Sequence, residues 1–220
     1  MSTQYSGATR FIDPATDEKL KRGIFNAIIA PRPIGWISTV DAAGVANLAP
    51  FSYFTIVSSL PPILAFSCNT PEDRACKDTA ANVVATREFV YNMATLSLVR
   101  EMNATSTPVP AAVDEFEFAG LERAPSRVVR APRVAASPVN LECKVLEIVR
   151  FGGSDGMPRT QITFGQVVAM HIREEFLDAE GYFDTAKAQP VARLGGIQYA
   201  TCGPPFELPR QFKRARESSY

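Results

Sequence analysis

Lys77, Asp78 and Thr79 stand in a row immediately ahead of the apolar positions Ala80, Val83 and Val84. A cation, a hydroxyl and the unpaired N–H groups of a helix start together suit an anion such as a phosphate. Ser52 and Ser67 offer further hydroxyls. Asp78 would repel a phosphate, so its expected work is to cap the helix or to bond a ligand hydroxyl. The plainer account of Lys77 is a solvated surface lysine. The chain has one histidine, His171, closing the run Val167-Val168-Ala169-Met170-His171. Histidine changes charge near neutral pH, so His171 is the residue to weigh for proton transfer or ligand positioning; an edge-strand histidine without a role is the alternative. Arg193-Leu194-Gly195-Gly196 sets a cation beside a glycine pair, with Tyr199 following. That pattern suits a loop closing over a ligand, with Arg193 meeting an anionic substrate or a dinucleotide phosphate.

Several chemistries are disfavoured. No Gly-x-Gly-x-x-Gly fingerprint occurs, so Arg193–Gly196 is not a dinucleotide-binding turn. Cys68, Cys76, Cys143 and Cys202 form no Cys-x-x-Cys pair, and one histidine leaves no cysteine–histidine zinc site. No metal site is expected, and all four thiols are expected free and mostly buried in a reducing compartment. Lysine plus arginine number 23, as do aspartate plus glutamate, so no overall field attracts nucleic acid or an anionic membrane. Arg210, Lys213, Arg214 and Arg216 read as a solvated terminus. Asp13, Asp17, Glu18 and Lys19 interrupt the first twenty residues, and no apolar run is long enough for a bilayer. A soluble, cytoplasmic protein is the expectation.

The elements that must position these residues are organised around residues 31–62. Two β-rich runs, near 35–40 and 45–57, flank an Asp41…Gly44 turn and predict a hairpin. Asn47, Ala49, Pro50 and Ser52 interrupt the second run. Proline has no N–H for a ladder, so Pro50 predicts an edge or a bulge, where backbone groups turn to a ligand and small residues let a flat one approach. Residues 63–68, 88–93, 139–151 and 160–172 read as further strands, the last changing phase at Gly165. Helices are predicted after Asp78 or Thr79, over about 95–104, and near 185–188, with a short one over 19–22. Residues 114–121 read as a short edge segment or a lid. Trp36 reads as a core anchor and Ser38 and Thr39 as cross-strand hydroxyls. One domain over residues 1–220 is expected, with an arm over about 1–20 and a tail over about 200–220. Many short strands with a few helices predict an antiparallel barrel with helical additions.

The order Ile37-Ser38-Thr39, Asp41-x-x-Gly44, Asn47-Leu48-Ala49-Pro50-Phe51-Ser52-x-Phe54, Pro61-Pro62, then Ser67-Cys68-Asn69 and Lys77-Asp78-Thr79, resembles the flavin reductase-like proteins, which bind FMN in a split β-barrel. The resemblance implies a mainly β fold with helices (α+β), an antiparallel FMN-binding split barrel. It implies bound FMN, NADH or NADPH as hydride donor, and a homodimer with the flavin site at the subunit interface. Carried over, Asn47, Leu48, Ala49 and Pro50 would lie along the flavin ring, partly through main chain, with Ser38 and Thr39 on the neighbouring strand. Ser52, Ser67, Cys68, Asn69, Lys77, Asp78 and Thr79 would complete the cofactor contacts. His171 would sit near the flavin face in a catalytic role, and Arg193, Gly195, Gly196 and Tyr199 on the substrate side. Short-chain flavin reductases show a Gly-Met-Thr-like step where this chain has Leu48-Ala49-Pro50. The implied activity is an NAD(P)H-dependent flavin oxidoreductase passing hydride to a small acceptor or a partner monooxygenase. A reductase acting directly on a nitroaromatic or quinone, and a non-catalytic FMN electron carrier resembling flavoredoxin, are the alternatives.

Overall fold

The computed structural model describes residues 7–16, 23–70, 76–152 and 158–209. In chain order these form α1 (Ile24–Ile28), β1 (Arg32–Pro33), β2 (Gly35–Val40), β3 (Ala46–Phe51), β4 (Phe54–Ser59), β5 (Pro62–Asn69), α2 (Asp78–Thr86) and β6 (Glu88–Met93). A 3-10 turn at Leu96–Leu98 leads into α3 (Val99–Ala104), followed by α4 (Glu115–Phe118), β7 (Arg123–Ala124) and β8 (Arg133–Val134). Then come the long strands β9 (Val139–Gly152) and β10 (Pro158–Ile172), α5 (Thr185–Ala188), β11 (Val191–Arg193) and β12 (Tyr199–Thr201). The segment 19–22 and the basic residues 210–216 lie outside the described residues.

Seven strands pair in the order β3-β2-β6-β9-β10-β5-β4, every pair antiparallel. The two edge strands, β3 and β4, are consecutive in the chain, with only Ser52 and Tyr53 between them. A link that short spans at most about 11 Å. The opposite edges of the sheet therefore meet there, and the sheet is curled into a barrel with an unpaired seam between β3 and β4. The hairpin turn behind this arrangement is set locally. Gly44 adopts φ 91°, and the Asp41 carboxylate accepts the Val45 N–H at 2.8 Å.

Alternation along β2 splits the core into two layers. Ile37 faces the barrel interior with Phe66, Phe89, Cys143 and Val167. Trp36 faces outward into a second cluster with Leu48, Met102, Phe116 and Val191. Both faces of β2 are thus covered, and all six of its residues are buried. Trp36 is the core anchor expected, and its Nε1–H donates to Thr105 Oγ1 at 3.0 Å.

The structure adjusts several sequence expectations. The run over 45–57 is two strands, because the chain crosses between sheet edges at Ser52-Tyr53. Pro50 sits on an edge strand, where its missing N–H costs no ladder bond. Lys77, not Asp78 or Thr79, occupies the cap position of α2, without a side-chain cap bond. Residues 114–121 hold a short helix capped by Asp114, which accepts the Phe116 N–H at 2.9 Å. Cys68 and Cys143 are buried, but Cys76 and Cys202 are exposed, because both lie in coil outside the sheet alternation.

The phase change at Gly165 is a register shift in the β9–β10 pairing, between Phe164 and Gly165. A Cβ at Gly165 would lie 2.3 Å from the ring of buried Phe89. Gly165→Ala is expected to cost about 1–3 kcal/mol of stability through overpacking. Urea unfolding with an unchanged slope would show it, and adding Phe89→Leu should recover part of the loss.

Candidate functional site

Edge strand β3 forms one wall of a cleft of about 300 Å³ through Asn47, Ala49, Pro50 and Phe51. Lys77, Asp78 and Thr79, at the start of α2, close one end, and residues 105–109 with Glu115 form the opposite side. The loop 105–109 is held in place by the Trp36–Thr105 bond and by Thr105 donating to the Met102 carbonyl at 2.8 Å. The Lys77 ammonium stands 5.5 Å from the centre of the Phe51 ring.

The base of the cleft is a buried polar network centred on Asn47. Its Oδ1 accepts from Thr79 Oγ1 at 2.6 Å and from Thr39 Oγ1 at 3.3 Å. Asn82 Nδ2 donates to Thr39 at 3.0 Å. The Asn47 Nδ2 donates to Glu115 Oε1 at 2.9 Å, and the Leu48 N–H to Glu115 Oε2 at 3.0 Å. Burial drives the Glu115 carboxyl above its ordinary range; the Leu48 and Asn47 bonds oppose this, and the charge of Asp78 adds to it. Thr79 spends its hydroxyl proton on Asn47. The donors left for an anion at this end are Lys77 and the first-turn N–H groups of α2.

A second cavity of about 350 Å³ adjoins the cleft, sharing Pro50 and Ser106 with it. Arg193, Gly196 and Tyr199 line it, together with Arg32, Asn26 and Ser52. Arg193 donates to the Tyr199 hydroxyl and the Gly196 carbonyl, and its guanidinium lies 4.5 Å from the Tyr199 ring centre.

Of the residues the sequence nominates, Asn47, Ala49, Pro50, Lys77, Asp78 and Thr79 line the cleft, and Ser52 lines the cavity beside it. Leu48 points into the outer core layer and contributes its N–H to Glu115. Ser38 and Thr39 are fully buried behind the cleft, bonded to Pro132 and Asn92 and to Asn47 and Asn82 respectively, not on an exposed sheet face. Cys68 lies in the barrel core, where burial pushes its thiol up to about 12. Ser67 and Asn69 sit on β5 and line none of these cavities. Gly195 lines a shallow cavity against α1.

His171 lies elsewhere in the chain, in a cavity lined also by Arg127, Arg133 and Arg173 that shares no residue with the cleft. Its Nε2 is 2.6 Å from Glu142 Oε1. Glu142 is fully buried and accepts the backbone N–H groups of Arg127, Val128 and Val129. Those bonds and His171 overcome the burial penalty and hold its carboxyl down at about 2.

Arg32, Glu115 and the loop 105–109 line these cavities without being among the site residues that the sequence nominates. The run Thr105-Ser106-Thr107 ahead of Pro108 was a signal, since hydroxyls clustered before a proline favour a turn with free polar groups. Glu115 gave none, because its partners lie 67 and 68 residues away.

Residues 29–190 match the family described as flavin reductase like domain. The crystal structure of nitrilotriacetate monooxygenase component B from Bacillus cereus is similar, with a TM-score of 0.87 and 32% identity over 92% of this chain and 100% of that one. That of Pseudomonas fluorescens 2-nitrobenzoate 2-nitroreductase has a TM-score of 0.79 and 26% identity, over 94% and 100% of the two chains. A Shewanella frigidimarina protein with a split barrel domain shares the fold at a TM-score of 0.75 and 21% identity, over 89% and 94% of the two chains.

Glu142→Gln should lower stability at pH 7 by about 2 kcal/mol, because a neutral amide replaces a carboxylate bonded to three N–H groups. The folded carboxyl is depressed, so its contribution is complete above the ordinary value of 4.5 and vanishes as pH falls towards about 2. Urea midpoints of wild type and variant should therefore converge across that interval.

Proposed function

Because the chain belongs to the flavin reductase-like family, we propose that the cleft along β3 holds FMN. The protein would act as an NAD(P)H-dependent flavin oxidoreductase, delivering reducing equivalents to a small acceptor or a partner monooxygenase. The observation that carries this reading is the pairing of an edge strand of small residues with a cationic helix start at one end of the same cleft. Ala49 and Pro50 would hold the flat ring, and Lys77 with the N–H groups opening α2 would hold the phosphate. Asp78 is suited to a sugar hydroxyl and keeps a second phosphate out. When bound, FMN supplies the hydride-accepting ring. The chain's own part is to hold that ring against β3, to exclude water with the loop 105–109, and to fix Asn47 through Glu115 and Thr79.

The adjoining cavity favours a ligand placed beside the flavin, as in a reductase acting directly on its substrate. The name of the Pseudomonas fluorescens relative, a 2-nitrobenzoate 2-nitroreductase, is in keeping with that second form of the reading. A homodimer is part of the proposal. Ile56, Val57 and Leu60, on and just after edge strand β4, are 67%, 49% and 91% exposed, apolar surface that a second copy would cover.

Calorimetry should show FMN binding more tightly than riboflavin, and Lys77→Ala should weaken FMN about 10-fold while leaving riboflavin unchanged, a difference of about 1.4 kcal/mol. Equal affinities of the wild type for the two flavins would remove the phosphate site.

Within one chain His171 does not reach the cleft, so its proposed part in the reductive step requires a second copy to bring it there. His171→Ala should then slow anaerobic flavin bleaching by NAD(P)H about 10-fold, and His171→Asn should recover part of the rate if the role is hydrogen bonding. A wild-type rate in His171→Ala would leave only the bond to Glu142.

A further inference from the structure

Arg32 and Arg193 are direct partners in the β1–β11 pairing, so two like charges face each other across one short ladder. Such a pair is destabilising unless something compensates it. Arg32 is only 8% exposed. Its Nη1 donates to the Asn26 and Ile29 carbonyls, its Nη2 donates to the Leu194 carbonyl at 3.0 Å, and its Nε finds no acceptor. Arg193 donates to a phenol and a carbonyl. Among the described residues neither arginine forms an ion pair. Both line the cavity beside the cleft, and among the described residues no carboxylate lines it with them. Carbonyl dipoles at the end of α1 offset part of the charge on Arg32. They do not account for Arg193 standing opposite, nor for the unmet Nε.

We infer that this cavity is an anion subsite, taking a carboxylate or phosphate group of the ligand that lies next to the flavin. The inference rests on the flavin reading for what that ligand does, but not for the anion site itself. Planar guanidinium groups suit the paired oxygens of either anion, and Ser52, Ser106 and Tyr199 line the same space. The shared residues Pro50 and Ser106 set the two spaces side by side, so an anion held here would lie next to a group held in the cleft. Two sources fit this chemistry: the carboxylate of a small acceptor and the phosphates of the nicotinamide dinucleotide.

The test uses the full chain and reads the arginine side chains directly. Nε–H signals of Arg32 and Arg193 are followed by ¹⁵N NMR on titration with benzoate and with pyrophosphate, against chloride at matched ionic strength. Both signals should shift saturably with at least one of the two anions, and Arg193→Gln should weaken that binding 10-fold or more. Arg193 is partly exposed, so this variant should fold even if Arg32→Gln does not. Loaded with FMN, the variant locates the source. A 10-fold rise in KM for nitrobenzoate but not nitrobenzene assigns the site to an acceptor carboxylate, and a like rise in KM for NADH assigns it to the dinucleotide. Absence of a saturable shift, or unchanged anion affinity in Arg193→Gln, overturns the inference. Failure to take up FMN while the arginine shifts persist would instead sink the flavin reading and leave the anion site standing.

Discussion

Ser52 and Tyr53 join strands that lie at opposite edges of a seven-stranded sheet. That short link forces the sheet to close on itself, and much else follows from it. Closure encloses Phe66, Phe89 and Val167 as an interior. It leaves β3 with a strand neighbour on one side only, and on the open side the Leu48 N–H goes to Glu115 instead of to a ladder. The Ser67 N–H donates to the Tyr53 carbonyl at 2.8 Å, securing the corner where the two edges meet. Proline is tolerated at position 50 for the same reason that the position faces the cleft.

Polarity across the two adjoining cavities is uneven. Glu115 and Asp78 sit with Lys77 and Thr79 around the cleft, and the carboxyl of Glu115 is tied into a buried network through Asn47. The neighbouring cavity carries two guanidinium groups and, among the described residues, no acid. A ligand set spanning both would meet one lysine with a helix start at one end and two arginines at the other. A nearly buried guanidinium such as that of Arg32 is expensive to keep without an ion pair.

Buried carboxylates also perform a purely structural task away from the cleft. Glu142 and Glu88 each accept backbone N–H groups from residues 127–130, pinning that segment across the outer face of β6 and β9. Lys144 reaches Glu88 at 2.7 Å, and His171 reaches Glu142. An acid with no apolar role inside a strand pattern thus marks a loop held from below. That makes His171 part of a clamp in its own chain, whatever it does for a second copy.

Strand and helix positions followed from local physics and were legible. The Asp41…Gly44 turn, the alternation over 88–93 and 139–151, and the short helix at 185–188 depend on neighbours in the chain. So did the bulge at Gly165 and the edge character of Pro50, since a missing side chain or N–H restricts where a residue can sit. The motif residues 47–52 and 77–79 were likewise visible, because their spacing is local to two short segments. Tertiary structure alone decided which of them share a cavity. It sent Ser38, Thr39 and Leu48 behind the wall, because burial depends on which layers pack over a face. It brought Glu115 beneath Asn47 and set Arg32 against Arg193, 161 residues away in the numbering, by strand pairing that no local pattern encodes. It also kept His171 apart from the cleft, since position along a strand says nothing about which end of a closed barrel that strand reaches.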